Sequence, residues 1–133
     1  MMKKRLTSLA LSAMMVLSMV PATAFAAKDA GTPPTYNSAT GCYEISTPAQ
    51  LLYLAGKWKD GAPRDGHYVL TADIDMTGVK GFKPIASKKD EGFTGTFDGQ
   101  FHSIKGLRVE YEKKYAGLFG YVGNQNDQAY IKN

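Results

Sequence analysis

Between Gly92 and Gly123 the chain reads GFTGTFDGQFHSIKGLRVEYEKKYAGLFGYVG, with glycines at 92, 95, 99, 106, 117, 120 and 123. Glycine at that density cannot sustain a helix, because each one costs roughly 1 kcal/mol against alanine in a helix interior. It does permit sharp corners, since a residue without Cβ takes positive φ without a clash. Between the corners lie short apolar or aromatic beats, at Phe93, Phe97, Ile104, Leu107, Val109, Leu118, Phe119, Tyr121 and Val122. Ile104 and Leu107 are out of phase for one flat strand, so Gly106 between them is expected to mark a corner or bulge that resets the face. The stretch predicts successive turns of a coiled β structure.

Upstream of it, the segment His67–Met76 (HYVLTADIDM) alternates cleanly. Tyr68, Leu70, Ala72, Ile74 and Met76 share one face, and His67, Val69, Thr71, Asp73 and Asp75 the other, which predicts a strand with one packed side. Cys42–Ile45 is a shorter alternating segment that suits a first strand. Between these two lies the clearest helical signal. Thr47 is an N-cap, Pro48 takes the first helical position and Gln50 completes a capping box. Leu51, Leu54, Ala55 and Trp58 then repeat at i, i+3, i+4 and i+7. This predicts a helix from Pro48 to Lys59, stopped at Asp60-Gly61 and Pro63. With no partner helix in the sequence, its apolar face is expected to cover one end of the β core.

Residues 1–26 have the three parts of an export signal: basic Lys3-Lys4-Arg5, an apolar run from Leu9 to Val20, and the small-residue site Ala24-Phe25-Ala26. The apolar run is too short for a bilayer core that needs roughly 20 residues. Cleavage after Ala26 is expected, with no membrane association afterwards. The 27–41 stretch, poor in apolar residues and rich in Gly, Pro, Ser and Thr, reads as a disordered linker. The folded part is 42–133, with an apolar beat still running at Tyr130-Ile131, which reads as a truncated pattern.

Removing the signal also removes three of the 16 Lys and Arg, leaving 13 against 12 acidic residues and a net charge of about +1. No basic stripe interleaves with aromatics, so a nucleic-acid partner is not expected. The single cysteine, Cys42, excludes an internal disulfide and argues against a Cys-based zinc site.

Three segments taken in order, Glu44–Leu51, Leu70–Asp75 and Phe93–Gly99, resemble the N-terminal portion of secreted bacterial right-handed β-helix proteins. Ile104-Lys105-Gly106-Leu107 and Tyr115–Gly120 are similar to the GLUG motif (Gly-Leu-any-Gly), most directly at Gly117-Leu118-Phe119-Gly120. The resemblance covers residues 42–133, and the signal is similar to those of Gram-positive surface proteins. It implies a mainly β fold: the start of a pectate-lyase-like, right-handed parallel β-helix of about three to four rungs, closed at its N-terminal end by one capping α-helix. It implies no activity, because GLUG segments occur in large exported proteins, adhesin-like proteins and some immunoglobulin A proteases among them, outside the catalytic machinery.

Candidate chemistry is sparse. Asp73 and Asp75 share a strand face about 7 Å apart, close enough to hold a Ca²⁺ together or to act as an acid/base pair. A calcium site needs roughly six to eight oxygens, and the strand adds only Thr71, so a solvated outer face with turn-capping aspartates is the plainer reading. Asp98-Gly99 reads as a turn. His67 and His102 are far apart and no HExxH is present. Lys105 and Arg108 do not form a lyase-like cluster with the acids, and Ser46 and Ser103 lack a visible base. No GxGxxG stands between a strand and a helix. Tyr111, Tyr115, Tyr121 and Trp58 have the ring chemistry to stack on sugars, although core and rung stacking is the plainer reading, and more so for Trp58 on the helix stripe.

The sequence thus predicts a non-catalytic exported β-helix segment with a structural, adhesive or glycan-contacting role, with glycans or cell-wall components as partners and no cofactor. The alternative is the N-terminal part of a polysaccharide lyase or glycosidase whose catalytic rungs lie downstream. In either case the open C-terminal end is expected to take further rungs or a second copy.

Overall fold

The computed structural model describes residues 31–56, 58 and 61–133. The export signal and the first residues of the expected linker lie outside the described residues. The described chain is mainly β, with one short α-helix and a 3-10 turn at Lys89–Glu91. Its strands are β1 (Thr35–Asn37), β2 (Cys42–Ile45), β3 (His67–Leu70), β4 (Ile74–Asp75), β5 (Thr96–Asp98), β6 (Ile104–Lys105) and β7 (Tyr130–Lys132). The helix α1 spans Pro48–Tyr53.

β2, β3, β5 and β7 form one parallel ladder, in that order. Register places Tyr43, Tyr68, Phe97 and Ile131 in one column, with Glu44, Val69, Asp98 and Lys132 in the next. Side chains alternate across a strand, so the two columns face opposite ways. Tyr68 is fully buried and its neighbour Val69 only half-buried. A second parallel ladder joins β4 to β6, pairing Ile74 with Ile104 and Asp75 with Lys105. Single parallel bridges follow at Phe82 with Val109, Ile85 with Phe119 and Phe93 with Val122. From β3 onward, each segment therefore pairs with a later one, in the same order and direction.

The core lies between the ladders, where Ile45, Leu51, Tyr68, Leu70, Ile74, Met76, Phe82, Ile85, Phe93 and Phe97 are buried. Tyr68 donates its hydroxyl to the Pro63 carbonyl at 2.7 Å. Burial pushes its phenol well above the ordinary range, and Tyr43 and Asp65 add to the rise.

The alternation over 67–76 holds in burial: Tyr68, Leu70, Ile74 and Met76 are buried, whereas His67, Thr71, Asp73 and Asp75 are exposed. It is nevertheless two strands in two sheets, β3 and β4, and not the single strand expected. Leu70 and Ile74 stand an even step apart, so the inward parity survives the change of direction.

The helix is shorter than the expected Pro48–Lys59. Gly56 takes φ +80°, its N–H donates to the Pro84 carbonyl at 3.1 Å, and Ala55 and Gly56 bridge Ile85. A left-handed glycine directly after the last helical turn is a common terminator, and here it hands the chain to a β contact. The N-terminus forms as expected, with Gln50 N–H donating to Thr47 Oγ1 at 3.2 Å. The return bond differs from a capping box. Gln50 Oε1 accepts from Ser46 N–H at 2.8 Å, and its Nε2 donates to Thr35 Oγ1, tying the buried amide to β1. Leu51, Leu52 and Leu54 bury against the core, so the helix covers apolar surface as expected.

The reading of 27–41 as disordered linker is corrected over its last part. Thr35–Asn37 pairs antiparallel with β2, and Tyr36 packs its ring on Tyr43 at 4.9 Å. An edge strand needs backbone partners more than apolar side chains, which is why composition alone missed it.

Candidate functional site

Asp73 and Asp75 both point to solvent, but each has its own partners. Asp73 Oδ1 accepts from Ser103 N–H at 2.9 Å and lies 3.3 Å from His102 Nδ1. Asp75 accepts from Thr77 N–H at 3.0 Å and lies 3.6 Å from Lys105 Nζ. The Ser103 amide chiefly, with His102, holds the Asp73 carboxyl below the ordinary carboxylate range. For Asp75 the Thr77 hydroxyl and amide do the same, with Lys105 adding to the effect. Among the described residues no group of three or more His, Cys, Asp and Glu is placed to hold a metal ion. The geometry brings each aspartate to the segment that pairs with β4, so what they do here is tie β4 to the segment around β6.

Asp98 repeats the device one column over. It accepts from Asn133 Nδ2 at 2.9 Å and Gln100 N–H at 2.9 Å, and stands 3.4 Å from Lys132 Nζ. Sequence reading identified Asp98 only as a turn former. Its link to Lys132 depends on the β5–β7 register, which local pattern does not carry.

The aromatic candidates divide. Tyr115 is exposed and meets Tyr121 edge-on at 5.4 Å. Tyr111 is half-buried, with its hydroxyl donating to the Ser87 carbonyl at 3.1 Å. Trp58 lies outside the helix. It stacks on Phe93 at 6.0 Å and donates Nε1–H to the Glu91 carbonyl at 2.7 Å, a half-buried packing role.

Gly117-Leu118-Phe119-Gly120 is a core seal. Leu118 carbonyl accepts from Ile85 N–H at 2.8 Å and Gly120 N–H donates to Ile85 carbonyl at 2.8 Å. Between them, Phe119 packs against Phe93 at 5.3 Å and edge-on to Phe97 at 5.4 Å. Any Cβ at position 120 would press on the Ala86 carbonyl at 2.8 Å, so the second glycine is fixed by close backbone approach.

His67 is exposed, and Cys42 is a free, half-buried thiol within 3.6 Å of the Thr40 carbonyl. No helix among the described residues is long and apolar enough to cross a membrane.

Comparison with known proteins adds one relative. Over 99 residues the chain is 42% identical to Halomucin of Haloquadratum walsbyi, an alignment that takes in 63% of this chain and 1% of that protein. The chain therefore spans about one hundredth of the length of the relative it matches. No family model matches the chain. No solved structure gives a significant match.

Proposed function

We propose that the chain is a non-catalytic, exported segment of a bacterial secreted or cell-surface protein, in which a right-handed parallel β-helix of three to four rungs serves a structural, adhesive or glycan-contacting role. The observation that carries this reading is the ordered recurrence of parallel pairs, from β3/β5 through β4/β6 and three single bridges to β5/β7. Parallel neighbours need crossovers of a dozen or more residues, and a chain that repeats the same crossover path builds a coil. In it α1 caps the first turn, and the GLUG segment seals the side wall. The residues of 1–26 act as the export signal.

The free edge of β7 fits the same reading. Ile131 is half-exposed there, beside an apolar hollow of about 370 Å³ lined by Leu70, Phe97, Ile104, Leu118 and Ile131. A further rung of the same coil, or a second copy, is the occupant this edge suits.

The test is expression of the full chain with its signal. Recovery outside the cytoplasm with Ala27 at the N-terminus, together with no product release from plant or host polysaccharides, is the expected result. Polysaccharide cleavage that disappears in Asp73→Ala or Asp75→Ala would overturn the non-catalytic reading.

A further inference from the structure

The surface carries two adjoining depressions of about 390 and 830 Å³ that share Arg64, Asn126 and Asp127 in their walls. Both volumes fall in the range of ligand sites, roughly 300–1,000 Å³. The walls come from three separate parts of the chain, and each is held in place by backbone bonds. Thr94 N–H donates to the Arg64 carbonyl at 3.0 Å, and Tyr130 N–H donates to the Gly95 carbonyl at 3.0 Å. The turn at 124–127 locks itself: Asn124 Oδ1 accepts from the N–H groups of Asn126 and Asp127, both at 2.7 Å, and Asn124 Nδ2 donates to Asp127 Oδ2 at 2.8 Å.

Because the turn is closed by Asn124, the Asn126 carboxamide is not used in building it. Among the described residues, neither that carboxamide, the Thr94 hydroxyl nor the Asp65 carboxylate takes a side-chain hydrogen bond, and all three line the smaller depression. Beside them Arg64 uses one guanidinium nitrogen on the Asp90 carbonyl at 3.4 Å, its one side-chain hydrogen bond among the described residues. Aromatic surface borders each end. Tyr130 is 61% exposed at the smaller depression, and Tyr121, with Tyr115 against it, lines the larger.

This lining selects for one chemistry. Arg64 and Lys89 stand against Asp65, Asp90 and Asp127, so neither a strongly anionic nor a cationic ligand is favoured. Planar amide, carboxylate and guanidinium groups placed together match a ligand whose hydroxyls donate and accept at adjacent positions. Tyrosine rings at both ends, exposed at Tyr130 and half-buried at Tyr121, match the apolar C–H face of a sugar ring. We infer that the groove running from Tyr121 past Arg64 and Asn126 to Tyr130 binds a neutral glycan chain. The inference rests on the glycan-contacting role proposed above and locates it on residues other than the tyrosines that the sequence singled out, Tyr121 excepted.

The test is NMR titration of the full mature chain with neutral tetrasaccharides of β-linked glucose and of N-acetylglucosamine, with tetragalacturonate as the acidic comparator. Shifts concentrated on the Asn126 and Gln128 side-chain amides and the Thr94 and Tyr130 backbone amides, with weaker binding of the uronate, are expected. Asn126→Ala is expected to weaken binding about fivefold, the loss of one hydrogen bond, with an unchanged thermal melt. Binding of a neutral tetrasaccharide that is insensitive to Asn126→Ala and to Thr94→Ala would overturn the groove while leaving the glycan-contacting role intact. Failure of every neutral tetrasaccharide to shift any resonance, or preferential uronate binding, would overturn the ligand class, and the export and polysaccharide-cleavage assays would still decide the broader reading.

Discussion

The turn after β5 places two ordinary residues in the left-handed region. Gln100 has φ +47° and Phe101 φ +62°, and His102 N–H closes the turn on the Gly99 carbonyl at 2.8 Å. Positive φ at both central positions is the type I′ arrangement, which Asn-Gly fills at least cost. An L-residue there pays roughly 1–2 kcal/mol, partly offset because glycine has more unfolded-state freedom to lose. Phe101 is 87% exposed, so little packing is lost on removing its ring. Gln100→Asn combined with Phe101→Gly is therefore expected to stabilise the protein by about 1 kcal/mol, a rise of roughly 4–8 °C in melting temperature for a domain of this size. Calorimetry decides it, and a lower melting temperature would mean that the Phe101 ring holds contacts worth more than the backbone strain. The Asp98-Gly99 pair marked a turn in the sequence, but its residues lie at the entry. The strained centre one step on was not legible, because Gln and Phe are not residues that such a turn selects.

At the scale of elements, the glycines separate into corners and close approaches. Gly106 takes φ +66° between β6 and Leu107, the face-resetting corner that the phase slip of Ile104 and Leu107 predicts. Gly95 keeps a negative φ and has a different reason to be glycine: a Cβ there would run into the Gly66 carbonyl oxygen and the Asp65 backbone of the adjacent segment. Gly95→Ala is accordingly expected to cost about 1–3 kcal/mol, the range for overpacking a rigid site, read as a shift in the urea midpoint. An unchanged midpoint would show that β3 and β5 can part without loss. Glycine spacing made the corners legible, and burial parity made the inward residues legible. What stayed hidden was decided by distant partners. α1 stops early because Gly56 finds Pro84 and Ile85, β1 forms because β2 offers an edge, and the polar groove exists only once residues near 64, 94 and 126 are brought together. A local window contains none of those pairings.

Across the whole molecule, aspartates on the outer faces of the strands link segments that pair with one another. Asp73 reaches Ser103 and His102, Asp75 reaches Lys105, and Asp98 reaches Lys132 and Asn133. All three carboxyls lie below the ordinary value of 3.8, held there chiefly by hydrogen bonds and secondarily by the neighbouring cations. A carboxylate depressed in the folded state adds stability that is complete above its unfolded value and is lost as pH falls through its folded value. The melting temperature is thus expected to hold steady as pH drops toward about 4 and to decline below it. Because Asp73 and Asp75 are solvent-exposed, their cation contribution should weaken in high salt while the hydrogen-bonded part persists. Asp98→Asn cannot ionise but keeps one oxygen as an acceptor, so it should melt lower than the parent at neutral pH and lose less on acidification. Melting curves taken between about pH 2 and pH 6 test this directly. A parent curve that is flat through that window, or an equal acid loss in Asp98→Asn, would show that the layers are held by the ladders and the core alone, with the surface carboxylates as bystanders.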